Sequence, residues 1–202
     1  KAHGLAKHLA RRMPGLDVKS HANSMLSWLE TARPNDFEVI VLATGDSAGE
    51  RQFLRRAWRE GWSCRLVCVF VETANLGGHA IAMQPREPGC LECLYEMDDL
   101  DTRGLLRTSM LAPGQVTSQE ISGCGAFTPY SAITATRTAI AAVELALTSD
   151  DIGYQRWAGS DKDAVSLNLQ PSEFWKSLHS GRVPSFILRQ SYIHEGCPCC
   201  RS

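Results

Sequence analysis

Apolar residues recur at helical spacing from the start of the chain: Ala2, Ala6 and Ala10 on one line, Leu5, Leu9 and Met13 on the next. This spacing predicts an amphipathic helix, which Pro14-Gly15 stops. Leu16 to His21 alternates and predicts a short strand, and Asn23 or Ser24 is placed to cap a brief helix carrying Met25, Leu26 and Leu29. Phe37 to Ala43 is almost continuously apolar, the pattern of a strand buried on both faces, as in parallel sheets. The turn Thr44-Gly45-Asp46-Ser47 ends it, and a helix through Phe53, Leu54, Ala57 and Trp58 follows. Cys64 to Val71 is a second apolar strand. The order helix, strand, helix, strand predicts an α/β fold with a doubly wound sheet.

The pattern changes after Glu72. Asn75-Leu76-Gly77-Gly78 reads as a turn and His79 to Met83 as a shorter strand. Asp98 to Glu120 mixes Asp, Arg, Thr, Ser, Gly and Pro without firm periodicity. Together with the residues up to Phe127 it predicts a mobile functional loop over 98–127, because plain connectors are rarely so long. Thr128-Pro129 is a helix start, with Thr as cap and Pro at the first helical position. Ile133, Ile140, Val143 and Leu147 continue that helix towards Thr148-Ser149. The tail over 150–202 supplies two strand-like runs, Ala164 to Leu169 and Val183 to Ile193. Repeats and low-complexity tracts are absent from the sequence.

Composition narrows the class. The chain has 202 residues, 21 Lys plus Arg against 22 Asp plus Glu, and 44% hydrophobic residues. That length suits one domain with a real core, and the near-neutral charge excludes a polybasic nucleic-acid arm. No stretch approaches the roughly 18 apolar residues needed to span a bilayer, so neither nucleic acid nor membrane is expected as a partner. Lys1 opens the chain inside a helical pattern and without Met, so an upstream piece is expected. Eight Cys, arranged to include two Cys-x-x-Cys pairs, point to a metal in a reducing compartment, with the cytoplasm as default.

Cys90-Leu-Glu-Cys93 and Cys197-Pro-Cys-Cys200 are the two pairs. The spacing lets two thiolates converge on one ion, and four thiolates suit a closed, tetrahedral, structural zinc site. Such a site would clamp the tail onto the turn after the His79 strand, with Cys199 as a possible substitute for Cys200. Two unrelated reduced pairs, or a redox pair beside a strand, are the competing explanations. Cys64 and Cys68 share one face of an apolar strand and read as buried, inert thiols.

Cys124 lies between Gly123 and Gly125, shortly before the helix start at Thr128. A thiol near a helix N-terminus is favoured as thiolate, and flanking glycines let a substrate backbone approach. A small buried residue is the plainer explanation of the same feature. Asp46 ends a buried strand at its carboxyl end, where open α/β sheets bind ligands, and it equally suits a helix cap. His79 is either a tail-contacting group or a satisfied structural histidine. Arg51, Arg55, Arg56 and Arg59 read as a solvated or salt-bridged helix face.

These residues resemble a known family almost from end to end. Lys1-Ala2 with its helix, Pro14 and the Val18 strand, then Val39 to Ser47 with Arg51, are similar to segments of E1-like (ThiF/MoeB-type) activating domains. So are Gly77-Gly78-His79, Gly89-Cys90-Leu-Glu-Cys93-Leu94, the stretch from Asp98 to Glu120, Cys124 and the final Cys-x-x-Cys. The resemblance implies that residues 1–202 are the C-terminal portion of one adenylating domain. Its Rossmann-like sheet would lack the N-terminal strand and glycine turn, and zinc would staple the tail through Cys90, Cys93, Cys197 and Cys200. It further implies Lys1 and Asp46 as ligands of ATP and Mg2+, and Cys124 as the reactive cysteine. Leu42 stands where the family carries an acidic residue, and the turn before Arg51 is one residue longer. Asn75 to His79 and Phe127 to Ser131 look most like bacterial E1 domains of CBASS-type antiviral defence operons.

The implied function is ATP-dependent adenylation of a ubiquitin-like protein's C-terminus, followed by thioester formation. A sulfur-carrier adenylyltransferase of cofactor biosynthesis is the alternative within the family, and a non-catalytic zinc-stapled pairing scaffold is the alternative outside enzymes. The implied partners are the tail of a ubiquitin-like or sulfur-carrier protein, an E2-like protein, and a second copy in a homodimer.

Overall fold

The structure, a computed structural model, describes residues 2–95, 106–115, 119–121, 125–127, 129–148 and 152–200. The chain divides into two compact units, residues 1–34 and 35–202. The first unit holds α1 (Ala2–Arg12) and α2 (Met25–Trp28). Ser24 caps α2 by accepting from the Ser27 amide at 3.1 Å. Leu16 to His21 forms no strand: the chain turns at Met13–Leu16 and continues without a ladder partner among the described residues.

The second unit is a mixed α/β structure built on one five-stranded sheet. Its strands are β1 (Val39–Leu42), β2 (Arg65–Val71), β3 (Gly77–Met83), β6 (Gly153–Ala158) and β7 (Phe186–Leu188), adjacent in that order. A small hairpin, β4 (Gln119–Ile121) with β5 (Gly125–Phe127), stands apart from it. α3 (Ser47–Glu60) links β1 to β2, which run parallel, so β1–α3–β2 is a βαβ unit. Every later pairing in the sheet is antiparallel. The parallel, doubly wound arrangement expected from the first strands therefore extends over one strand pair. The reason is the short return at Thr73–Asn75, which brings β3 straight back along β2 and leaves no room for a crossover helix.

Both faces of the central strands are buried. Val67, Ala80 and Ala82 pack with Ala141, Ala142 and Leu145 of α4 (Ala132–Leu147). Leu66, Cys68, Ile81 and Met83 occupy the opposite face and are fully buried. Gly78 allows the first packing, because a Cβ there would stand 2.0 Å from the Thr138 hydroxyl of α4. α4 starts at Ala132 with Ser131 as its cap, three residues beyond the expected Thr128, which lies outside the described residues. Ser131 Oγ accepts from the Thr134 amide at 3.2 Å, while the Pro129 carbonyl accepts from Ala74 N–H. Arg65 donates to the carbonyls of Leu145 and Thr148 at the far end, where the helix dipole favours a cation.

The tail differs from its sequence pattern. The run Ala164 to Leu169 is not a strand: α5 (Lys162–Ser166) is a short helix closed by Asn168 at φ +55°. α6 (Glu173–His179) follows, and the long strand expected over Val183 to Ile193 is confined to β7, after which a 3-10 turn takes over at Arg189. β6 is absent from the sequence pattern because Gln155 and Arg156 interrupt its apolar alternation; Arg156 is nonetheless buried against the Tyr154 and Phe174 rings. No helix among the described residues is long and apolar enough to cross a membrane.

Candidate functional site

Two loci carry the residues singled out by sequence. The first is the cysteine corner. A 3-10 turn, Leu91–Leu94, bends Cys90 and Cys93 towards each other, and the tail brings Cys197 and Cys200 against them. All four sulfurs lie within 4.8 Å of one another, with Cys90 to Cys197 and Cys93 to Cys200 both at 3.5 Å. A disulfide needs about 2.05 Å, so these are four separate thiols. A tetrahedron with metal–sulfur bonds of about 2.3 Å has sulfur–sulfur edges of about 3.8 Å, which this cluster matches. Such a group can hold a metal ion such as zinc. Hydrogen bonding among the four thiols lowers Cys93 and Cys200 and raises Cys90 and Cys197, so without a metal they share protons, two favoured as thiolate and two as thiol. Thiolate is the form a metal binds. Cys199 is buried beside them but does not join the four.

Glu92, between the two knuckle cysteines, is the residue that sequence reasoning missed. Its carboxylate is 0% exposed and accepts from Arg55 Nε at 2.6 Å and Arg55 Nη2 at 2.9 Å, with Arg51 Nη2 at 3.7 Å. A two-pronged pair of this kind fixes orientation as well as distance. The knuckle is therefore bolted to α3 through the arginines that sequence read as solvated or salt-bridged. Only their spacing, one turn apart on α3, hinted at it. A groove of about 460 Å³ lined by Arg55, Trp58, Arg59, Pro198 and Cys199 lies alongside.

The second locus is the β1–α3 turn. Asp46 is exposed and caps α3, its Oδ1 accepting from the Gly49 amide at 3.0 Å. Buried Glu50 accepts from both the amide and the hydroxyl of Thr44, at 2.9 and 2.7 Å, which pins the turn from below. A cleft of about 370 Å³ opens at the carboxyl ends of the parallel strands β1 and β2, lined by Ala43, Gly45, Val69 to Val71, Tyr130 and α4 residues up to Ala139.

His79 lies in neither locus. It is fully buried, stacks on Phe70 and Tyr154, and bonds Glu72 at 3.0 Å and the Tyr154 hydroxyl, so it is a satisfied core histidine. Burial pushes the Cys68 thiol well up, consistent with an inert residue. Asn75, also unanticipated, sits at φ +60° and joins the turn before β3 to α4, its Oδ1 accepting from Ser131 N at 2.6 Å and Thr134 Oγ1 at 2.8 Å. Lys1 and Cys124 lie outside the described residues, as do residues 98–105, 116–118 and 122–123 of the loop over 98–127. No protein-family model matches the chain, and no curated protein matches it.

Proposed function

We propose that the chain is the later portion of an E1-like, Rossmann-related activating domain that adenylates the C-terminus of a ubiquitin-like protein in the cytoplasm. The observation that carries the reading is the cleft at the carboxyl ends of β1 and β2, with Asp46 in the turn beside it. Ligands of open α/β sheets bind at that end. In the reaction, a carboxylate oxygen of the modifier attacks the α-phosphorus of ATP and pyrophosphate leaves. The Cys124 thiolate then attacks the acyl carbonyl, forming a thioester and releasing AMP. Asp46 keeps Oδ2 available for the magnesium that accompanies ATP, and Lys1 supplies a cation to the phosphates. Zinc, when held by Cys90, Cys93, Cys197 and Cys200, contributes folding energy only, since four thiolates leave no open position. The modifier tail, an E2-like acceptor and a role in antiviral defence belong to the same reading, with a sulfur-carrier protein as the alternative substrate.

A non-catalytic scaffold has one observation in its favour: Asp46 is already used as a helix cap. ATP–pyrophosphate exchange by the full-length protein decides between the two. Asp46→Asn should abolish exchange and leave the circular dichroism unchanged, because an amide still caps the helix. Exchange at the wild-type rate in the variant would remove Asp46 from the site, and no exchange in the wild type would favour the scaffold. Cys124→Ala should keep exchange and lose a thiol-sensitive covalent adduct with the modifier. An adduct that persists would move the nucleophile to another thiol.

A further inference from the structure

Alternation along β6 sends its side chains to two faces of the sheet. Trp157 meets α4, its Nε1 donating to Thr138 Oγ1 at 3.1 Å, so Tyr154 and Arg156 occupy the opposite face. There Arg156 stands beside His79 of β3 in the ladder, and its amide donates to the Ser185 carbonyl at 2.8 Å. Its side chain rests against two rings, the guanidinium carbon lying 5.1 Å from the centre of Tyr154 and 5.5 Å from that of Phe174 on α6.

Arg156 is 5% exposed, and no other arginine among the described residues is buried as deeply. Its Nε is closed off from solvent and has no hydrogen-bond partner. The carboxylates of neighbouring elements are committed elsewhere. Glu72 Oε1 accepts from His79 Nε2 at 3.0 Å and from the Met110 amide at 3.1 Å, and Glu173 pairs with Lys176 at 2.6 Å. Burial accordingly pulls the Arg156 guanidinium below its ordinary value, and only Tyr154 acts against the shift. The two rings compensate part of the lost hydration, but a buried cation without a counter-ion is among the costliest features a fold can carry.

Nη1 and Nη2 also have no partner among the described residues, yet they are not closed off as Nε is. A guanidinium offers a planar oxyanion two parallel N–H donors, and a single cation is neutralised by a single negative charge. A phosphate dianion would leave a surplus charge beside two aromatic rings, whose faces are themselves negative. We propose that Arg156 is the receiving site for a carboxylate, which completes an ion pair that the fold leaves half made. This site is separate from the activity proposed above and does not depend on it. An arginine retained only for packing would have no response to an added acid.

The full chain at constant ionic strength, with acetate replacing chloride, tests this. In 15N spectra of the wild type, the Arg156 Nε–Hε signal should move with acetate and give the dissociation constant. At a tenfold excess over that constant, acetate should raise the melting temperature by about 4 °C. Arg156→Met should lose this response, and Arg156→Lys, which keeps the charge without the fork, should retain less than half of it. N-acetylalanine carries its carboxylate on a peptide end. Tighter binding than acetate would identify a chain terminus as the source, and equal binding a free acid. A wild type whose melting and Nε–Hε signal ignore acetate overturns the proposal. So does an acetate response that survives in Arg156→Met, or phosphate stabilising the wild type more than acetate does.

Discussion

The cysteine corner and the β1–α3 turn are held together by opposite means. At the turn, the contacts are local: Thr44, Asp46, Gly49 and Glu50 bond one another within seven residues of chain. At the corner, Cys90 and Cys93 meet Cys197 and Cys200 from the far end of the sequence, and Glu92 meets Arg55 from another element. The turn is exposed at Asp46, whereas the corner is buried apart from part of Cys200. The turn's hydrogen bonds need no distant segment, although burial of Glu50 still depends on the rest of the unit. A corner assembled from distant segments has no structure of its own until something holds it, which suits a structural metal.

The contrast breaks most sharply at Cys197. Cys197→Ser should remove the metal, and because metal binding is folding energy for such a site, the tail should become protease-sensitive and the melting temperature should fall by roughly 10 °C or more. Elemental analysis of the wild type should find one zinc per chain, and a strong chelator should reproduce the variant's behaviour. A wild type purified without metal would end the zinc assignment.

Glu92→Ala comes next. It strips the buried carboxylate from Arg55 and opens a small void, for an expected loss of about 2 kcal/mol, tempered because Arg55 itself is half exposed and regains water. Denaturant titration measures the loss, and metal release to a chromogenic chelator should quicken, since the knuckle is no longer tied to α3. Unchanged release would confine Glu92 to helix packing. Asp46→Ala should cost less, about 1 kcal/mol from a lost cap, with no change in metal content. Metal content that did change would contradict the independence of the two loci. Cys199→Ser should have the smallest effect, leaving zinc stoichiometry as in the wild type, whereas a loss would place Cys199 among the ligands.

Much of the second unit is legible from residue order. The strand β1, the capped helix α3 that Gly61 ends in a left-handed turn, and the apolar β2 each follow from a strong local signal. β1 is nonetheless not buried on both faces as its apolar run predicts: Val41 is 49% exposed and only Leu42 is buried, because β1 is the edge strand of the sheet. The spacing within each cysteine pair is equally local. Less legible are β6, where a buried arginine breaks the pattern, and α5, where alternation over Ala164 to Leu169 yields to a short helix with Val165 and Leu167 exposed. In both, tertiary contacts override a weak local preference.

Sequence alone determined the elements whose periodicity is long and consistent, together with which residues have the chemistry to bind a metal or cap a helix, because those properties reside in neighbouring side chains. Tertiary structure decided the rest. It set the direction of β3 beside β2, the union of two distant cysteine pairs, the burial of Glu92 against Arg55, and the turning of the Ile133–Leu147 stripe away from the sheet. The stripe shows why. Helical periodicity reports that a helix has two unlike faces, and which face meets the core depends on what fits there. Gly78 brings α4 so near β3 that Thr134, Thr138 and the alanines fit and isoleucine does not.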